Sequence, residues 1–84
     1  MRNMQNSIKV LVADDDKEIA GFIKLKFEEN NIETTTAHDG KEALFLINTN
    51  EYDVIVIDWM MPYLDGISLL KILRKQNVIT PIII

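Results

Sequence analysis

Residues 53–66 read Asp53-Val54-Ile55-Val56-Ile57-Asp58-Trp59-Met60-Met61-Pro62-Tyr63-Leu64-Asp65-Gly66. The run from Val54 to Ile57 is entirely β-branched and apolar, with no polar alternation. Such a run is expected to be covered on both faces, as in a central parallel strand. Asp58 ends it. Asp65 and Gly66 then start a helical pattern whose inward positions are Leu69, Leu70 and Leu73.

Working outward, the same alternation of short strand and amphipathic helix recurs. Ile8-Lys-Val-Leu-Val-Ala13 is a β-branched run stopped by Asp14-Asp15-Asp16. Ile19, Phe22, Ile23 and Phe27 follow at helical spacing, with Asp16 placed to cap that helix and Asn30-Asn31 to end it. Phe22 and Phe27 are expected in the core. Ile32-Glu-Thr-Thr-Thr-Ala37 is a more polar strand, expected near a sheet edge. Asp39 with Glu42 reads as a capping box for a second helix, with Ala43, Leu44 and Ile47 inward and Phe45 off that face. Pro81-Ile-Ile-Ile84 begins a fourth strand. The order β-α-β-α-β-α-β calls for parallel pairing, right-handed crossovers and helices on both faces, a doubly wound α/β sheet.

Composition bounds the function. The 84 residues are 48% hydrophobic and 26% charged, so one ordinary globular domain at most. A net charge of −4 gives no basic footprint for nucleic acid. There is no cysteine, which excludes disulfides and thiolate sites and fits a reducing compartment. No run approaches the ~20 apolar residues of a membrane span. A cytoplasmic location is expected, with residues 1–7 a polar, disordered lead-in.

In doubly wound sheets ligands sit at the carboxyl ends of the strands. Asp14 and Asp15 end the first strand and Asp58 the third. With strand order 2-1-3-4, those strands are neighbours about 4.8 Å apart, so the carboxylates converge. Converging carboxylates must be protonated or held by a cation. Hard oxygen ligands without His or Cys select Mg²⁺ or Mn²⁺ over zinc. Such a site can bring a phosphoryl group to an attacking carboxylate. The plainer reading, aspartates that only cap helices, suits Asp16, Asp39 and Asp65, each of which precedes a helix.

At this point the residues resemble a known family. Val10-Leu-Val-Ala-Asp-Asp-Asp16, the segment 53–66 with its Asp58, Met-Pro and Gly66, and Thr80-Pro-Ile-Ile-Ile84 are similar to response-regulator receiver domains of two-component signal transduction. The resemblance runs from Ile8 to Ile84. It implies a flavodoxin-like fold and phosphorelay signalling, with Asp58 as the phosphoacceptor from a phosphohistidine on a sensor histidine kinase. It implies Mg²⁺ bound directly by Asp15, through water by Asp14, and by Asp58 and the backbone carbonyl of Met60. Pro62 and Gly66 would shape the loop after the acceptor. Such a domain catalyses its own phosphorylation and dephosphorylation and is not a turnover enzyme. The family's fifth strand, its last two helices, a Thr or Ser after the fourth strand and a later Lys have no counterpart in these 84 residues. Residues 1–84 are therefore expected to be the N-terminal part of a receiver. Its exposed fourth strand would be a site for self-association.

Three other readings compete. A haloacid-dehalogenase-type phosphotransferase wants a second Asp two residues after the first, where this chain has Met60. A flavodoxin-like FMN binder needs a Ser/Thr/Gly-rich loop after the first strand, where Asp14-Asp15-Asp16 would repel phosphate. A receiver scaffold acting as a non-phosphorylated interaction module is the third, given the absent Lys and Thr. Trp59 is expected as a partly exposed lid beside Asp58, His38 as a solvated loop residue, and Met60 and Met61 as loop-packing residues.

Overall fold

The computed structural model describes residues 7–84; residues 1–6 of the expected lead-in lie outside the described residues. The elements are β1 (Ile8–Ala13), α1 (Lys17–Glu28), β2 (Ile32–Ala37), α2 (Gly40–Thr49), β3 (Val54–Ile57), α3 (Gly66–Lys75) and β4 (Ile82–Ile83). The strands form one sheet in the order β2-β1-β3-β4, every neighbouring pair parallel. This is the expected doubly wound topology, with the polar strand β2 at an edge.

Local chemistry sets the element ends. The Asp16 carboxylate accepts from the amides of Glu18 and Ile19, Asp39 from Glu42, and Asp65 from Ser68, so each of the three helices opens on an aspartate cap. Glu42 reaches back to accept from the His38 amide at 2.7 Å. Asn31 and Asn77 follow α1 and α3 in the left-handed region, at φ 63° each, where Asn is the best-tolerated residue after Gly. Asp53 stays outside β3 but aligns it. Its amide donates to the Lys9 carbonyl at 2.7 Å, and its Oδ2 accepts from the Lys9 amide at 2.7 Å.

The core lies on one face of the sheet. Leu11, Ala13, Ile55 and Ile57 pack there against Ala43 and Ile47 of α2, Leu69 and Leu73 of α3, and Met61. Leu44 is half-buried at its margin, whereas Leu70, expected inward with Leu69 and Leu73, is half-buried and does not join this cluster. Strand alternation puts Val10 and Val12 on the opposite face. α1 covers that face over β1 and β2, with Ala20 fully buried.

Two expectations about this second face are overturned. Phe22 is not a core residue: it is 61% exposed, and Phe27 is only half-buried. The β3 strand is covered on one face only, since Ile55 and Ile57 are buried while Val54 and Val56 are half-buried. α1 packs chiefly on β2 and β1, and Phe22 on its apolar stripe meets solvent.

Candidate functional site

The parallel pairing of β1 with β3 opposes Ala13 to Ile57. The next residue of each strand, Asp14 and Asp58, therefore leaves the sheet at the same level. The Asp58 amide donates to the Ala13 carbonyl at 2.8 Å, and the Asp14 amide to the Ala37 carbonyl of β2 at 2.9 Å. Three strand ends are thus tied at one notch. Asp14 Oδ1 accepts from the Asp16 amide at 2.9 Å, which orients its carboxylate.

The structure brings Asp14, Asp15 and Asp58 together: one carboxylate oxygen from each lies within 4.8 Å of the others. Asp14 and Asp58 are half-buried and Asp15 is exposed. Asp58 titrates above the usual carboxylate range. Desolvation is the main cause, and the charges of Asp14 and then Asp15 add to it. The amides of Trp59 and Met60 act the other way, by hydrogen bonding to the Asp58 carboxylate. These donors are all hard oxygens, and the cluster contains no imidazole. Such a set fits a hard divalent cation of the Mg²⁺ class, which would relieve the repulsion.

The surrounding residues divide. Trp59 is 66% exposed and Met60 75% exposed, whereas Met61 belongs to the core at 8%. The loop-packing expectation for the two methionines therefore holds for Met61 and fails for the Met60 side chain, because only Met61 points under the loop. Trp59, Met60 and Met61 border an open groove with Asp65, Ile67 and Ser68. His38 is half-buried rather than solvated, and its Nδ1 is buried without a hydrogen-bond partner among the described residues. It follows directly on Ala37, whose carbonyl is tied to Asp14, so the strand end draws it inward.

Sequence reasoning missed Gly40. A Cβ there would overlap the carbonyl oxygen of Leu64, in the loop that follows Asp58. A signal existed: Gly at the first position of a helix is a poor helix former with no turn to justify it.

The sequence pattern of the response regulator receiver domain matches residues 10–84. The chain belongs to the response regulator receiver family. It is 41% identical over 75 residues to the alkaline phosphatase synthesis transcriptional regulatory protein PhoP of Bacillus subtilis, covering 89% of this chain and 31% of PhoP. Among solved structures, the receiver domain of Francisella response regulator 1452 is 83% identical with a TM-score of 0.89, over 90% of this chain and 63% of that one. The response regulator TrrA of Thermotoga maritima, solved in complex with Mg²⁺–BeF, is 31% identical with a TM-score of 0.79, over 83% of this chain and 61% of that one. This receiver chain thus spans about a third of the length of PhoP and under two-thirds of either solved chain. No helix among its described residues is long and apolar enough to cross a membrane.

Proposed function

We propose that this receiver accepts a phosphoryl group on Asp58 from the phosphohistidine of a sensor histidine kinase, with Mg²⁺ held by Asp14, Asp15, Asp58 and the Met60 carbonyl. The observation that carries the reading is the convergence of three carboxylates at the ends of two neighbouring strands. Left alone, that arrangement costs free energy through like-charge repulsion. With a cation and a phosphoryl group it becomes an assembly point for both.

The three carboxylate oxygens lie within 4.8 Å of one another. In this proposal Asp15 and Asp58 ligate the ion directly and Asp14 acts through a water. When bound, the ion would neutralise charge on the phosphoryl oxygens. Asp58 supplies the nucleophile: one carboxylate oxygen bonds to phosphorus, the P–N bond of the phosphohistidine breaks, and the imidazole leaves with that electron pair and takes up a proton. The product is an acyl phosphate. The exposed Trp59 and Met60 flank the approach without closing it. That TrrA was solved with Mg²⁺–BeF agrees with this assignment.

The remainder of the reading follows from it. The 84 residues are the N-terminal part of a receiver in a cytoplasmic phosphorelay, not a turnover enzyme, and this segment binds neither nucleic acid nor membrane. The output lies outside it. The edge strand β4, with Ile83 59% exposed, offers a surface for self-association.

Incubation with a small-molecule phosphodonor and Mg²⁺, followed by intact-mass analysis, tests the proposal. One added phosphoryl group, absent in Asp58→Asn and without Mg²⁺, is the expected result. No addition in a folded chain would sink it and favour the non-phosphorylated scaffold.

A further inference from the structure

We propose that the N-terminus of α2 is a positioning element for the acidic site, and that Gly40 seats the loop carrying Asp58, Trp59 and Met60. The inference rests on the metal-site reading above and adds residues outside the acidic cluster to it.

The loop from Asp58 to Asp65 is held at three places. At its start, the Asp58 amide donates to Ala13 O at 2.8 Å. At its end, the Gly66 amide donates to Trp59 O at 2.9 Å, and a Cβ on Gly66 would stand only 2.6 Å from the carbonyl oxygen of Asp58. In the middle, Leu64 N donates to Pro62 O at 2.7 Å across Tyr63, whose φ is 69°. This is a tight γ-turn in a strained region of backbone space, and such a turn persists only where its surroundings hold it.

The surroundings that hold it are α2. Gly40 is buried with its Cα against the carbonyl group and Cβ of Leu64. Beside it, Lys41 Nζ lies 5.8 Å from the centre of the Tyr63 ring, in the same turn. The helix end cannot retreat. Asp39 caps it through the Glu42 amide at 2.8 Å, and Glu42 accepts from the His38 amide at 2.7 Å. One residue further back, Ala37 O accepts from the Asp14 amide at 2.9 Å. Residues 37–40 therefore touch both halves of the site: Asp14 through Ala37, and the Asp58 loop through Gly40. This short segment therefore braces both strand ends, whose spacing the β1–β3 pairing sets.

The overlap that a methyl group at position 40 would create is with backbone, so no rotamer change relieves it. The less constrained partner, the 62–64 turn, must move on the order of 1 Å to restore ordinary contact. Gly21 provides the contrast, since a Cβ there meets nothing within 4 Å.

The test compares Gly40→Ala and Gly21→Ala with the wild type, in the 84-residue chain. Amide resonances of residues 58–66 report the loop, and a Mg²⁺ titration followed by Trp59 fluorescence reports the site. Circular dichroism and a urea midpoint establish that each variant is folded. Gly40→Ala is expected to move the resonances of residues 59–65 and to weaken Mg²⁺ binding by roughly tenfold or more, as loss of a ligand's supporting contacts does. Gly21→Ala is expected to match the wild type in both. A folded Gly40→Ala with wild-type resonances and affinity would overturn the proposal. Should the wild type take up no Mg²⁺, the metal-site reading fails by itself. The loop resonances then decide this one, shifted supporting it and unshifted overturning it. Should Gly40→Ala not fold, Tyr63→Leu removes the ring beneath Lys41 without changing charge. It is expected to weaken Mg²⁺ about two- to fivefold, and wild-type affinity in that variant would overturn the proposal.

Discussion

Replacing Asp58 with Asn removes one of three carboxylates that crowd each other, so the variant should be more stable than the wild type in a chelator. The size follows from the geometry. At 4.8 Å, two unit charges repel by about 0.9 kcal/mol in water and about 3.5 kcal/mol at an effective dielectric of 20. Asp15 is exposed and the other two are half-buried, which favours the lower figure. Two pairs are relieved, giving about 2 kcal/mol. Asn keeps an oxygen for the Trp59 and Met60 amides but loses charge assistance, so the net gain is about 1 kcal/mol. For a domain of this size that corresponds to about 4–8 °C in Tm. The pH dependence has a definite sign. The raised pKa of Asp58 means that the folded chain holds this proton more tightly than the unfolded chain does. Ionised Asp58 therefore costs stability above its folded pKa. That cost fades as pH falls through the folded value and is gone below the unfolded value of about 3.9. The advantage of Asp58→Asn should be full near neutral pH and close in acid. Urea melts in EDTA across this range measure it, and added Mg²⁺ should narrow the gap by stabilising the wild type. An Asp58→Asn variant less stable than the wild type in EDTA at neutral pH would refute the argument, because the carboxylates would then not be in net repulsion.

Other consequences are simpler to check. Leu73→Ala, at a fully buried position under the sheet, should lower stability by about 2–5 kcal/mol in a urea melt. Phe22→Ser should change it by no more than about 0.5 kcal/mol in the same assay, because that ring is already in solvent. Asp65 titrates below the usual carboxylate range, first through its bond from the Ser68 amide and then from the Ser68 hydroxyl. Its contribution should be present above the unfolded carboxylate pKa and lost as pH falls through the lowered folded value. Thermal melts of Asp65→Ala should accordingly differ from wild type at neutral pH and converge with it in strong acid.

What could be read in advance and what could not divide along a physical line. The sequence by itself determined the element order and the helix starts, because these depend on periodicity and on short side-chain-to-backbone bonds. Asp16, Asp39 and Asp65 cap the helices they were expected to cap. It also determined that acidic residues end the first and third strands. The tertiary structure alone decided that these ends meet, through the pairing of Ala13 with Ile57 across 44 residues of chain. It likewise decided that Phe22 faces solvent, since a helix's apolar stripe does not reveal how much of it a neighbour covers. The contact of Gly40 with Leu64 belongs to the same class. A glycine at a helix start marks a constraint along the chain, but which backbone imposes it is decided only when a second segment approaches.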